Sequence, residues 1–181
     1  MKKHAKTFLV LAVAFTLVFA AWGAVRIVNA VNFDLNCKAY LKRAADANTV
    51  EMAIVELERA IAYADQNKLT DGIVSIFLKN PANDIGFWYN NIKAAHAELE
   101  SLPPDAAPLE KTNVLMKLRE SLTDRNDGNT DVNHPEGISV YPRNTPYFWW
   151  CLISAAGLCA FWILFGIAVD TKFPVRTKKR Q

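Results

Sequence analysis

Apolar residues fall along this chain in two unlike ways: in unbroken runs near its ends and at helical steps between them. From Thr7 to Val25, 19 consecutive residues carry no charge (TFLVLAVAFTLVFAAWGAV), and from Tyr147 to Val169 another 23 do the same (YFWWCLISAAGLCAFWILFGIAV). A helix crosses the roughly 30 Å hydrocarbon core of a bilayer with about 20 such residues, so each run predicts a transmembrane helix. We place the spans at 7–31 and 147–169, which leaves short tails at 1–6 and 170–181.

Between the runs the pattern changes to one apolar face per helix. Phe33, Cys37, Tyr40, Leu41 and Ala44 recur at steps of three and four while Lys38, Lys42 and Arg43 face away, so the first span is expected to continue as one rod to about Asp46. Asn48-Thr49-Val50-Glu51 predicts a new start, with Asn48 as cap and Glu51 reaching back to it. Val50, Ile54, Leu57, Ile61 and Ala64 then form a seam ending near Asn67. Residues 69–79 fit neither period well and are read as a helical or irregular connector. Pro81 and Asn83-Asp84 predict a third start, with Ile85, Trp88, Ile92, Ala95, Leu99 and Leu102 inward, stopped by Pro103-Pro104. Asp105 and Pro108 open a fourth helix carrying Val114, Leu115, Leu118 and Leu122. From 124 to 146 the chain turns to Asp, Asn, Gly and Pro and is expected to be an extended linker. The fold class predicted is all-α: two transmembrane helices flanking an extracytoplasmic, four-helix-bundle-like domain over 32–123.

Charge orients this layout. The whole chain carries a formal +3, but residues 32–146 hold 12 Lys/Arg against 17 Asp/Glu. The tails are basic, with Lys2, Lys3, Lys6, Lys172, Arg176, Lys178, Lys179 and Arg180 against Asp170. Positive flanks stay in the cytoplasm, so both termini are expected inside and the central domain outside. An acidic domain repels phosphates, which argues against a nucleic-acid partner. The first run has a basic start, and Val28-Asn29-Ala30 resembles a signal cleavage site. Yet it is longer than a signal core, and Arg26 intervenes, so an uncleaved anchor is expected. The basic N-terminal flank and the lack of any Asn-x-Ser/Thr sequon suit a bacterial inner membrane.

Each candidate site has a plain structural role beside its functional one. Ala12, Thr16, Ala20 and Ala24 on the first span, with Ala156 and Ala160 on the second, form small-residue strips that permit close helix packing. They could join the two spans, two copies, or a partner's helix. Trp22, Arg26, Tyr147, Trp149 and Trp150 read as anchors at the membrane interface. Phe87, Trp88, Tyr89 and Asn91 make the densest aromatic and amide cluster in the central domain, a speculative ligand or partner surface whose competing role is core packing. The loop from Asp124 misses the calcium-loop register, because Gly128 stands fifth rather than sixth. The three histidines are scattered, with no zinc spacing, and Cys37 is the one thiol of the central domain, read as a buried thiol. No catalytic constellation, cofactor motif or metal motif stands out, and a non-enzyme is expected.

With a helical domain between two spans, the layout resembles the input half of two-pass bacterial receptors, though without their cytoplasmic output module. That resemblance is one of architecture and carries no functional residue. The function expected is an accessory or structural subunit of a membrane complex, its partners the lipid bilayer and another membrane protein or a second copy. The alternative is a ligand-sensing module that signals through its spans.

Overall fold

Helix dominates because the sequence offers apolar seams at helical spacing and almost no alternating stretches. The structure is a computed structural model, and it describes residues 2–126 and 129–170. The expected C-terminal basic tail from Lys172 onward, and Gly128 of the calcium-loop comparison, lie outside the described residues. By contact the chain divides into two units, 1–26 with 145–181 and 27–144.

In the first unit, α1 (Lys2–Phe33) and α6 (Asn144–Asp170) each pass the length and apolarity needed to cross a membrane. Within the most apolar window of each, only 6% is buried. Leu9, Val10, Leu17, Ile153 and Ile163 all face outward. The two helices meet through a narrow strip. Phe15 stacks on Phe161 with ring centroids 5.3 Å apart, and Gly157 leaves the space the Phe15 ring fills. Ala5, Ala12 and Ser154 are buried in this unit. Several of its polar side chains are hydrogen-bonded within it. Thr16 and Ser154 donate to the carbonyls of Ala12 (2.8 Å) and Trp150 (2.6 Å) one turn back, and Trp162 Nε1 donates to Thr16 Oγ1 at 3.1 Å.

The second unit begins in the last residues of α1, where a π-helical turn (Asp34–Lys38) leads into α2 (Ala39–Ala45). Phe33, Cys37 and Leu41 stand four residues apart, a spacing that drifts off one line on a regular α-helix. The wider i→i+5 turn takes up the extra residue, and all three are nearly or fully buried. Helix continuity through residue 45 matches the expected rod.

Thr49, not Asn48, caps α3 (Val50–Gln66): its hydroxyl accepts from the Met52 N–H at 3.3 Å. Glu51 still turns back, hydrogen-bonding its own backbone N–H and the Thr49 side chain, which hold its carboxyl below the usual range. The buried face of α3 is Val50, Ala53, Glu56, Leu57, Ala60 and Ala64, with Ile54 and Ile61 at its border. Small alanines at the centre let the neighbouring helices approach, so the seam is rotated from the one the larger residues marked. The C-terminus closes in a Schellman turn: Leu69 N–H reaches Ala64 O (2.8 Å) and Lys68 N–H reaches Asp65 O (3.2 Å), with Lys68 at φ 58°.

Residues 69–80 are irregular, tied by a single bridge between Ile73 and Asp84 and by buried Leu69 and Val74. Gly72 takes φ +103°, and the Tyr141 hydroxyl occupies the position its Cβ would need. A 3₁₀ turn (Pro81–Asn83) precedes α4 (Ile85–Glu100), capped by Asp84 Oδ1 accepting from Phe87 N–H at 2.9 Å. Helix α5 (Pro108–Leu122) follows, with Leu118 and Leu122 buried. Helices α2, α3, α4 and α5 pack in sequence, and α5 returns to α2.

The segment expected as an extended linker is part of the folded unit, which corrects that reading. Strands β1 (Thr123–Asn126) and β2 (Asn129–Val132) pair antiparallel, Thr123 opposite Val132. Val132, Ile138 and Val140 are buried, the last two in a 3₁₀ turn over Ile138–Val140. Polar composition concealed this because a few apolar residues at irregular spacing suffice to pin a loop to a core.

Candidate functional site

Helix α4 begins where Asp84 caps it, and this start fixes which side chains its first two turns present. Phe87, Trp88 and Asn91 line a groove of about 530 Å³. Ile92 continues that wall, Pro81, Ala82 and Asp84 close one end, and Ser121, Leu122, Asp124, Asn133 and Pro135 form the far side. Trp88 is mostly buried and held in place, its Nε1 donating to the Asn133 carbonyl at 3.0 Å. That bond satisfies the indole and leaves its ring as a fixed apolar surface. Phe87 is two-thirds exposed at the mouth. Asp84 and Asp124 contribute carboxylates, and no Lys or Arg is among the described lining residues.

Three of the four residues of the aromatic cluster therefore meet at one groove, and the fourth does not. Tyr89 turns to the other side of α4, where its hydroxyl donates to Asp65 Oδ1 on α3 and Lys93 Nζ stands 5.5 Å from its ring centre. The hydrogen bond to Asp65, then desolvation and the Asp65 charge, push its pKa up to about 12. The far wall is not marked by the sequence pattern, because Asn133 and Pro135 fall in the stretch expected as a linker. One signal was there: Asp127-Gly128 between polar strand-length segments is a hairpin dipeptide.

Comparison with protein-family models, curated proteins and solved structures finds no match.

The remaining expected sites divide as follows. Ala12 is buried and Thr16 bonds Trp162, whereas Ala20, Ala24, Ala156 and Ala160 are exposed; the contact between α1 and α6 runs through Phe15, Gly157 and Phe161. The helices use aromatic against glycine there instead. Among the expected interface anchors, Trp22 Nε1 donates to the Tyr147 carbonyl at 3.0 Å and Trp22 stacks with Phe19 at 5.5 Å. Tyr147 lies against Trp150 at 5.9 Å, Trp149 is half exposed, and Arg26 is half-buried. Cys37 is fully buried, and desolvation pushes its thiol up to about 12, so it is a core residue. Away from the groove, His96 on α4 lies between Glu58 of α3 and Glu100 one turn on, a grouping the scattered histidines did not announce.

Proposed function

We propose that this chain is a non-enzymatic two-pass protein of a bacterial inner membrane, with both termini cytoplasmic. Its 27–144 unit would be presented outside the cytoplasm as an interaction domain, and the whole would act as an accessory or structural subunit of a membrane complex. The observation that carries this reading is the outward apolar surface of α1 and α6: a core helix of a water-soluble protein hides such a window, and here 6% of it is hidden. The basic flanks supply the orientation. The circuit of contacts α2–α3–α4–α5–α2 supports a four-helix-bundle-like domain.

The test has two arms. The chain should stay in the membrane pellet through an alkaline wash, and its intact mass should retain residues 1–30. Crosslinking and light scattering in mild detergent should then give a homodimer or a stoichiometric complex; a monodisperse monomer would count against the subunit role.

The groove favours a second reading, a ligand-sensing module signalling through its spans. Its volume lies within the range of small-molecule sites, roughly 300–1,000 Å³, and its fixed indole and two carboxylates suit an apolar cation. Screening organic cations against the full chain in detergent should raise its melting temperature by linked binding. A flat response to all of them, or a shift that Trp88→Ala leaves unchanged, would remove this reading.

A further inference from the structure

We infer that Glu58, His96 and Glu100 form a binding site for a divalent transition-metal cation of the zinc class, joining α3 to α4. His96 and Glu100 stand four residues apart on one face of α4, and Glu58 meets them from α3. His96 Nε2 lies 3.8 Å from Glu58 Oε1, and His96 Nδ1 lies 3.4 Å from Glu100 Oε2. One ligand atom from each of the three falls within 4.8 Å of the others.

These separations are longer than good hydrogen bonds, which end at about 3.2 Å. The Nε2–Glu58 separation is near the spacing of two ligands that share one cation at about 2.0–2.2 Å in a tetrahedral shell. The second observation is His96 Nε2 itself, shut off from solvent and without a hydrogen-bond partner among the described residues. A buried ring nitrogen left so is costly, and in the neutral ring protonated on Nδ1 its lone pair would face a carboxylate that can only accept. A cation between Nε2 and Glu58 removes both faults.

Glu58 and Glu100 are each about half exposed, which gives the ion an entry path and room for water to complete its shell. Nearby cations are engaged elsewhere, Arg59 with Glu56 and Lys93 over Tyr89. Nothing in this site depends on which side of a membrane the domain occupies. It stands apart from the function proposed above.

The experiment is a Zn²⁺ titration by calorimetry of the full chain in non-ionic detergent after chelator treatment. One equivalent is expected to bind and to raise the melting temperature. Glu58→Gln and His96→Ala should each weaken affinity by about tenfold or more, whereas Glu98→Gln, on the same helix and outside the triad, should not. Glu58→Gln is an isosteric change at an exposed position, so its circular dichroism should match the parent and its loss of binding is readable even if His96→Ala misfolds. No zinc binding at millimolar metal, or binding that Glu58→Gln leaves intact, overturns the site.

Discussion

Two side-chain pairs decide how α3 is held, and they act through different physics. Glu56 lies with its carboxylate almost wholly buried, 2.6 Å from Arg43 Nη2 and 3.6 Å from Arg59 Nη1, with Oε2 unpartnered among the described residues. Both guanidiniums are more than half exposed. Removing the arginine strands a buried charge; removing the carboxylate merely returns an arginine to water. Arg43→Ala should therefore cost about 1–2 kcal/mol, the upper end of the range discounted for exposure, while Glu56→Leu should stay within about 1 kcal/mol of the parent. Denaturant unfolding followed by circular dichroism ranks the two, and the opposite order would refute the argument. Tyr89 and Asp65 tie α3 to α4 by a neutral donor on a charged acceptor. The Tyr89 pKa, raised from 10.0 to about 12, favours its protonated form in the folded state. That stability is whole below pH 10 and is lost as pH rises through 12. Tyr89→Phe should cost about 1 kcal/mol at neutral pH and flatten the alkaline decline. Tyrosinate absorbance at high pH should lose one late-titrating group in Tyr89→Phe, while Tyr63, which burial also raises, stays; a late amplitude equal to the parent's would overturn the assignment.

At the scale of elements, the contact between α1 and α6 turns on one glycine. A Cβ at Gly157 would enter the Phe15 ring, so Gly157→Ala should destabilise the pair by about 1–3 kcal/mol even though alanine is the better helix former. Phe15→Ala in the same chain should recover much of the loss, because the cavity then accepts the methyl. Thermal melts in detergent of the two single variants and the double one check this. Additive losses would mean that the residues do not touch. The same pair shows what a linear sequence reveals. Helix α6 was legible from its uncharged run and α4 from Asp84 and the Ile85–Trp88–Ile92 seam, since both signals are local. The strip Ala12–Thr16–Ala20–Ala24 was a fair pattern, but which face of a uniformly apolar helix meets its neighbour depends on the partner's side chains. The α3 seam turned for a similar reason, alanines packing closer than isoleucines. The groove was half legible. Phe87, Trp88 and Asn91 share one helix, whereas Asn133 and Pro135 reach it only through a hairpin return that no periodic pattern encodes. Glu58 joins His96 and Glu100 across a helix interface and left no mark in either helix alone.

For the whole molecule, the proposed two crossings would return the chain to the side on which it started, which predicts the tails and the 27–144 unit on opposite faces of one bilayer. Cysteine labelling can read this with little background. Cys37 is fully buried and burial pushes its thiol up to about 12, so the reactive thiolate is scarce and the residue can stay. Replacing Cys151 and Cys159 with alanine then leaves a quiet chain. Met52 is half exposed on α3, and Met52→Cys should react with a membrane-impermeant maleimide added to intact cells whose outer layer has been made permeable. Lys3→Cys should react only after the inner membrane is opened, because basic residues flanking a span are retained on the cytoplasmic side. The two positions are separated by the first apolar run and nothing else of comparable length, so opposite labelling requires that this run cross the bilayer. Equal labelling of both before lysis would place them on one side, and the two-pass scheme would fail with it, whereas the groove and the Glu58–His96–Glu100 cluster, which lie wholly within 27–144, would keep their geometry.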